Sequence, residues 1–335
     1  MKVNRAGFTL TLFICLLAVA ACAPRLQGLG PAATTGFIEP RIEMDAFVTR
    51  DNLRLGLSRW EAEDPHAILI AAHGMNDYGN AFVASGAWWA ERGISTYAYD
   101  QRGHGRSPQR GIWPGNDLVT QDFADFIEVV RRDHPGLPVF VLGHSMGGAV
   151  VITTLAEGRA QVEGVILVAP AVWGWSTIPF PLDFALWLTA HTVPMLTVTG
   201  ESLNRWPTDN IDVLRAMASD TNMIFETRFD ALYGVVSLMD QAYIDADKVS
   251  PPVLLLYGEQ DQIIPPKPVS DVIERMCPDR RVAIYADGYH LLLRDLEAEI
   301  VRNDIAVFID DPAAPLPSAA EGRGRELHPC PNPGR

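Results

Sequence analysis

The sequence predicts an α/β fold, in which a mostly parallel β-sheet is flanked by helices on both faces. Short apolar runs alternate with longer amphipathic ones along most of the chain, as strands and helices do in such folds. The runs at 67–70 and 139–142 are continuously apolar, which is typical of strands buried on both faces. A glycine-flanked serine, Ser145, follows the second run and precedes a stretch of small residues that predicts a helix.

The first residues predict an export signal. Lys2 and Arg5 precede an uncharged apolar stretch, and small residues lead up to Cys22, as in the lipobox of bacterial lipoproteins. Residues 1–21 are therefore predicted to be a signal peptide, with lipid attached to Cys22. Such a lipid would anchor the protein, because two or more acyl chains hold a protein stably on a membrane. Ala23 resembles the sorting signal for the outer membrane, facing the periplasm. An uncleaved signal anchor and ordinary secretion are the alternatives.

The rest of the chain divides by composition into further segments. Residues 22–40 are rich in Gly, Ala, Pro and Thr and predict a flexible tether. The α/β core is assigned to 41–171 and 251–310. The alternation breaks at 172–250, which is helical in character and is expected to form a cap above the sheet. The proline-rich segment 311–335 is predicted to be disordered.

Within the core, each apolar run bounded by turn residues predicts a strand, and each amphipathic stretch predicts a helix. The predicted strands are 53–60, 67–72, 95–99, 139–143, 164–169, 253–258 and 281–286. The predicted helices are 81–92, 118–134, 147–157, 268–275 and 297–308.

The composition excludes several classes of protein. Of the 335 residues, 48% are hydrophobic and 20% are charged, which excludes extended disorder and a polytopic membrane protein. Lys and Arg number 27 against 41 Asp and Glu, so the net charge is -14. Because such a charge repels phosphate backbones, nucleic acid is not expected as a partner.

Cysteine and histidine spacing predicts no metal site. Cys15 and Cys22 belong to the signal, which leaves Cys277 and Cys330. In an exported protein these two could form a disulfide or remain free thiols. No Cys or His cluster has the spacing of zinc ligands.

The sequence GHSMGG at 143–148 matches the pattern of a serine at a sharp turn between a strand and a helix. Such a turn strains the backbone of the serine, and the glycines two residues before and after it leave room for the chain. The hydroxyl is then exposed at the sheet edge, and the N-terminus of the helix favours developing negative charge. Ser145 is therefore predicted to be a nucleophile.

A serine nucleophile needs a base to remove its proton and an acid to orient that base. His290 follows a late predicted strand, and Asp261 follows the strand before it. The order Ser145, Asp261, His290 is the order expected for a catalytic triad on this fold. Asp287 and Glu259 are the other candidate acids.

An acyl-transfer intermediate also needs two N–H groups aimed at its oxyanion. Met146, which follows the nucleophile, is predicted to supply one. The second is expected from Met75, in the loop after an early strand. His73 in the same loop could be catalytic or could brace the loop, and bracing is favoured because His290 already supplies a base.

Several motifs resemble the monoglyceride lipase and lysophospholipase branch of the α/β-hydrolases. They are HG at 73–74, YDQRGHGRS at 99–107, HPGLPVFVLGHSMGGA at 134–149 and GYH at 288–290. The resemblance implies the α/β-hydrolase fold and a serine hydrolase that cleaves carboxylic esters of single-chain lipids without a cofactor. Its triad corresponds to Ser145, Asp261 and His290. The run MNDY at 75–78 departs from the family, because monoglyceride lipases have smaller residues after HG. This departure concerns the specificity for the alcohol part of the ester.

The first part of the predicted cap is almost uncharged, since Asp183 is the only charged residue between 171 and 200. Three prolines interrupt this stretch and exclude a transmembrane hairpin. Phe184, Trp187 and Leu188 recur at helical spacing and define one apolar face. That face either packs on the body or forms an acyl-chain tunnel or membrane-facing mouth.

The sequence thus predicts an esterase or lipase that works through an acyl-enzyme on Ser145, with a lipid ester as substrate and a membrane as partner. A broad-specificity short-chain esterase is the alternative within this chemistry, and peptidases and perhydrolases can use the same triad. A different class is a non-catalytic envelope lipoprotein that uses the fold for binding. Its mark would be a missing triad residue, and the sequence lacks none.

Overall fold

The computed structural model of the chain describes residues 23–200, 205–278 and 280–330. The predicted signal peptide and the predicted lipidation site at Cys22 lie outside these residues. Within the described ranges, no helix is both long enough and apolar enough to cross a membrane.

The strands of the described residues are β1 (Arg41–Ile42), β2 (Ala46–Val48), β3 (Arg54–Trp60), β4 (Ala67–Ala72), β5 (Ile94–Tyr99), β6 (Val139–His144), β7 (Gly164–Val168), β8 (Thr197–Thr199), β9 (Glu226–Arg228), β10 (Val253–Gly258) and β11 (Arg280–Tyr285). Nine of them form a central sheet, in the order β1-β2-β3-β5-β4-β6-β7-β10-β11. The pairs β1–β2, β2–β3 and β3–β5 are antiparallel, and the other pairs of this sheet are parallel. A separate antiparallel pair, β8 and β9, lies in the insertion.

Helices cover both faces of the sheet and enclose two apolar clusters. The helices are α1 (Val83–Ala90), α2 (Asn116–Asp133), α3 (Met146–Ala156), α4 (Leu182–Thr192), α5 (Ile211–Ser219), α6 (Phe229–Asp245), α7 (Pro266–Arg275), α8 (Ala298–Asp310) and α9 (Ala320–Leu327). Residues of α2, α3, α6 and α7 fill the cluster on one face, and residues of α1, α8 and α9 fill the cluster on the other. The predicted fold class, a mostly parallel sheet flanked by helices, is confirmed.

The insertion at 172–250 contains α4, α5, the β8–β9 pair and α6. Its last helix departs from the prediction, which assigned the whole insertion to the cap. Apolar residues of α6, among them Val235, Leu238 and Ala242, are buried in the same cluster as α3. Helix α6 therefore belongs to the body, because its apolar face has a partner there that periodicity alone does not identify.

The segment predicted as a flexible tether, 22–40, is hydrogen-bonded to the body from residue 25 onward. Gln27 is buried, its backbone N–H donates to the carbonyl of Trp113 at 2.9 Å, and its side chain donates to the carbonyl of Ile112 at 2.6 Å. The N–H of Arg25 donates to a carboxylate oxygen of Asp230 on α6. The prediction is wrong here because polar backbone contacts, which composition does not record, hold the segment in place.

The prediction of a disordered tail at 311–335 is wrong for the part that the structure describes, which ends at residue 330. Helix α9 packs along β11, and Arg281 forms a bidentate pair with Glu321 at 2.8 and 2.9 Å. Cys277 and Cys330 form a disulfide with their Cα atoms 5.7 Å apart. The short helix is stabilised by these contacts, and all six prolines that predicted disorder lie outside it.

Candidate active site

Ser145 occupies the turn between β6 and α3. Its φ and ψ angles of 53° and -119° lie in a strained region that few residues other than glycine adopt. The flanking glycines are required by space. A Cβ on Gly143 would lie 2.4 Å from the carbonyl oxygen of Gly147, and a Cβ on Gly147 would lie 2.0 Å from that of Ala72. The chain can make this turn only because both positions lack a side chain.

The structure brings the three residues of the predicted triad together at the carboxyl ends of β6, β10 and β11. The Nε2 atom of His290 lies 2.9 Å from the Oγ of Ser145, and its Nδ1 lies 2.8 Å from a carboxylate oxygen of Asp261. The other oxygen of Asp261 accepts the N–H groups of Ile263 and Ile264 at 2.7 and 3.0 Å. Because a carboxylate only accepts, Nδ1 carries the proton and Nε2 is free to accept one from the serine.

The other two candidate acids lie elsewhere. Glu259 is bound by Arg323 of α9 through two hydrogen bonds of 2.6 and 2.7 Å. Asp287 is exposed to solvent on the loop that follows β11. The carboxylate on the imidazole of His290 is therefore that of Asp261, whose side chain is fully buried.

A second histidine, His144, positions the first and was not identified from the sequence. It is buried, and its Nε2–H donates to the backbone carbonyl of His290 at 3.0 Å. Burial, with the neighbouring His290 adding to it, lowers the pKa of His144 to about 3, so its ring is neutral. Its place directly before Ser145 in the GHSMGG motif is the signal that could have identified it.

Both predicted oxyanion donors belong to segments that meet at Ser145. Met146 is the first residue of α3, and the first N–H groups of a helix have no acceptor within the helix. Met75 lies in the loop after β4, where a Cβ on Gly74 would come within 3.2 Å of the Cβ of Ser145. This close approach places the Met75 turn beside the nucleophile.

His73 braces this loop and is not part of the triad. The N–H of Gln101 donates to Nε2 of His73 at 2.9 Å, so Nδ1 carries the proton and donates to the carbonyl of Gly74 at 2.8 Å. The amide of Gln101 also donates to the carbonyl of His73. Burial lowers the pKa of His73, which keeps the ring neutral and the two bonds in place.

The run at 99–107 is structural. Arg102 is buried and donates hydrogen bonds to the carboxylate of Asp51 and to that of Asp122. The carboxylate of Asp100 accepts hydrogen bonds from the guanidinium of Arg106. The pairs of Arg102 join the loop after β5 to the turn between β2 and β3 and to α2, and the pair of Arg106 with Asp100 lies within that loop. In the part of the chain that the structure describes, no group of three Asp, Glu, His or Cys side chains could hold a metal ion.

The apolar face predicted in the insertion is exposed. An open groove of about 400 Å³ lies along α4 and is lined by Trp175, Phe180, Asp183, Phe184, Trp187 and Tyr233. Phe180, which precedes α4, is 79% exposed, and Leu188 on α4 is also exposed. This face therefore does not pack on the body, and it is open to solvent or to an apolar partner.

Comparison with known proteins identifies the family. Residues 63–297 match the family model described as serine aminopeptidase, S33. The monoacylglycerol lipase of Mycolicibacterium smegmatis is 26% identical over 276 residues, covering 79% of this chain and 95% of that protein. The human monoglyceride lipase is also 26% identical, over 77% of this chain and 86% of its own length.

Solved structures show the same fold. A soluble variant of the monoglyceride lipase from Saccharomyces cerevisiae, in complex with a substrate analogue, superposes with a TM-score of 0.67 at 19% identity. That comparison covers 88% of this chain and 97% of the yeast chain. Because the family model spans well over half of the sequence, the chain belongs to the serine aminopeptidase S33 family of α/β-hydrolases.

Proposed function

We propose that this carboxylic ester hydrolase cleaves lipophilic single-chain esters, of the monoacylglycerol or lysophospholipid type, through an acyl-enzyme on Ser145. The observation that carries the proposal is the continuous chain of hydrogen bonds from Ser145 through His290 to Asp261, with distances of 2.9 and 2.8 Å. His290 has the tautomer, and all three residues have the positions, that acyl transfer requires.

In the first half of the reaction, the Oγ of Ser145 attacks the ester carbonyl while Nε2 of His290 takes its proton. The carbonyl oxygen becomes an oxyanion, which the N–H groups of Met75 and Met146 stabilise. Buried Asp261 stabilises the imidazolium that forms. His290 then gives the proton to the departing alcohol oxygen as the ester C–O bond breaks, and the acyl group remains on the serine.

In the second half, a water molecule takes the place of the alcohol. His290 removes one of its protons, the resulting oxygen attacks the acyl carbonyl, and the same N–H groups stabilise the second oxyanion. Return of the proton to Ser145 releases the fatty acid and restores the enzyme. No group outside the protein and water is needed for either half.

The substrate class rests on the relatives and on the insertion. Relatives that match most of this chain bear the names monoacylglycerol lipase and monoglyceride lipase. The exposed apolar face of α4 and its groove offer a surface of the kind that an acyl chain would cover. A short-chain esterase would need no such surface. The family description, serine aminopeptidase, keeps peptide substrates as the second candidate.

The test is a comparison of initial rates for the wild type and Ser145→Ala. The substrates are p-nitrophenyl esters from acetyl to palmitoyl, a monoacylglycerol, a lysophospholipid and an aminoacyl p-nitroanilide. We expect turnover of long-chain esters that the variant loses completely. An optimum at acetyl would favour the short-chain esterase, turnover of the anilide alone would favour the peptidase, and no activity above Ser145→Ala would favour a binding protein.

We also propose that Cys22 is lipidated and holds the enzyme on the outer membrane, facing the periplasm. The described chain starts beside the insertion, because the N–H of Arg25 donates to Asp230, whose own N–H donates to the carbonyl of Pro194. Met195, the next residue, is 64% exposed. A lipid on Cys22 would therefore bring the exposed loop that contains Pro194 and Met195 towards the bilayer.

Labelled palmitate and membrane fractionation in a bacterial host test the anchor. We expect the wild type to take up palmitate and to sediment with the outer membrane, and Cys22→Ala to be unlabelled and soluble in the periplasm. An unlabelled wild type that stays in the membrane with its first 21 residues attached would show an uncleaved signal anchor instead.

A further inference from the structure

The turn that carries Met75 needs an unusual backbone conformation at the next residue. The N–H of Asp77 bonds to the carbonyl of Gly74, which closes a β-turn, and Asn76 at its third position has φ 67°. Glycine and asparagine are the residues that adopt this left-handed conformation most readily. Glycine at position 76 would adopt this conformation as readily, so the backbone conformation does not explain why the residue carries an amide side chain.

The side chain of Asn76 binds the cap. Its Nδ2 donates to the Oγ1 of Thr227 at 2.6 Å, and its backbone carbonyl accepts the N–H of Ile224 at 3.0 Å. Thr227 is 7% exposed and lies on β9, which follows α5 and pairs with β8. Asn76 is therefore fixed to one short segment of the cap, 224–227, by its side chain and by its backbone.

The body fixes the other end of the same turn. His73 is held by Gln101, and it holds the carbonyl of Gly74 in turn. Gly74 itself lies against the Cβ of Ser145. The peptide N–H of Met75 lies between these two attachments, so its direction depends on both.

We infer that Asn76 is a positioning residue that aims the Met75 N–H at the oxyanion and makes this aim depend on the cap segment 224–227. The inference rests on the acyl-enzyme function proposed above. An oxyanion donor is effective only when it is fixed in advance at hydrogen-bond distance from the developing charge. Loss of the Thr227 bond leaves the turn and the Ile224 bond in place but removes the side-chain part of the attachment to the cap.

The first experiment compares variants that remove the same bond from either side. Asn76→Gly keeps the left-handed conformation and removes the amide, and Thr227→Val removes the hydroxyl at constant shape. Each is expected to lower kcat for p-nitrophenyl butyrate about tenfold, less than the 10²–10³ of a donor lost outright, with KM within about twofold. Thr227→Ser should retain the wild-type kcat. Thr199→Val, the same change on the exposed partner strand β8, should have no effect.

A second readout reports on the oxyanion hole without turnover. A fluorophosphonate reacts with Ser145, and its phosphoryl oxygen enters the same hole, so its labelling rate should fall about tenfold in Asn76→Gly and Thr227→Val. The double variant should fall no further than either single one, because both remove one interaction. Unchanged melting temperatures would separate this effect from a loss of folding.

The outcomes distinguish this inference from the proposed function. Folded Asn76→Gly with wild-type kcat and wild-type labelling rate would overturn the inference and leave the acyl-enzyme intact. Equal falls in the Thr199→Val control would also overturn it, since the effect would then belong to the β8–β9 pair as a whole. A wild type that neither hydrolyses esters above Ser145→Ala nor reacts with the fluorophosphonate would overturn both proposals.

Discussion

Replacement of Asp261 by asparagine tests the arrangement of the triad most directly. The carboxylate accepts three hydrogen bonds, one from His290 and one each from the backbone N–H groups of Ile263 and Ile264. An amide of the same size has one accepting end and one donating end. The asparagine side chain can therefore accept from His290 or from the two backbone N–H groups, but not from both.

The backbone decides this choice. If the amide nitrogen faced Ile263 and Ile264, two N–H donors would lack an acceptor, at about 1–3 kcal/mol each. Even the lower sum of about 2 kcal/mol favours the opposite orientation roughly 30-fold. The amide nitrogen then donates to Nδ1 of His290, which places the imidazole proton on Nε2. In that tautomer the histidine cannot accept the proton of Ser145, and we expect kcat to fall about 10⁴-fold.

The assay is kcat for p-nitrophenyl butyrate from pH 6 to 10, with thermal unfolding to verify the fold. Glu259→Gln and Asp287→Asn are matched controls, because both make the same chemical change at carboxylates that do not contact His290. We expect both to keep kcat within about twofold, as for surface changes away from the reacting groups. If Asp261→Asn kept more than a tenth of the wild-type kcat, Asp261 would not be the residue that orients the base.

Three further predictions concern stability and the serine turn. Gly147→Ala places a Cβ 2.0 Å from a carbonyl of β4, and the displacement of the serine turn should lower kcat by about 10² or more, measured with the same ester. Asp51→Asn should lower the free energy of unfolding in urea by about 3 kcal/mol, because it leaves buried Arg102 with one partner fewer. Burial alone would raise the pKa of Asp51, but hydrogen bonds, with that from Arg102 the largest, lower it to about 2. The stability that ionised Asp51 contributes is therefore present above about pH 4 and is lost as the pH falls towards 2. The difference in free energy of unfolding between the wild type and Asp51→Asn should narrow over that range. Cys330→Ser opens a loop of 53 residues closed by Cys277 and should cost up to about 4 kcal/mol, whereas an unchanged melting temperature would show that the tail helix is held without the disulfide.

The buried strands were predictable because burial on both faces leaves a clear trace in the sequence. Each of the seven predicted strands lies within one residue of an observed strand at either end, and the helices of the core lie within two. The short strands β1 and β2 were missed, since two or three residues are too few to show alternation. The predicted triad residues could be selected from the predicted strands, because residues just beyond the carboxyl ends of parallel strands meet at one edge of the sheet.

Contacts between distant segments could not be predicted in the same way. The polar bonds that fix Gln27 and Arg25 connect residues more than 80 positions apart, and no local pattern announces them. The same holds for the bond between Asn76 and Thr227, which join across 151 positions. Composition indicated flexibility for the ends of the chain, but a few specific hydrogen bonds and one disulfide are sufficient to hold such segments.

Burial divides the apolar residues of the insertion into two groups that periodicity could not separate. Those of α6 enter the body and are buried, so their role is stability. On α4, Phe184 and Trp187 are about half exposed although they also recur at helical spacing, whereas Ala190 on the same helix is buried. Burial of apolar surface stabilises a protein by about 25 cal/mol per Å², and surface that stays in contact with water lacks this contribution. A helix that keeps several large apolar side chains in this state is stabilised when an apolar partner covers them, and an acyl chain or the surface of a lipid aggregate is such a partner.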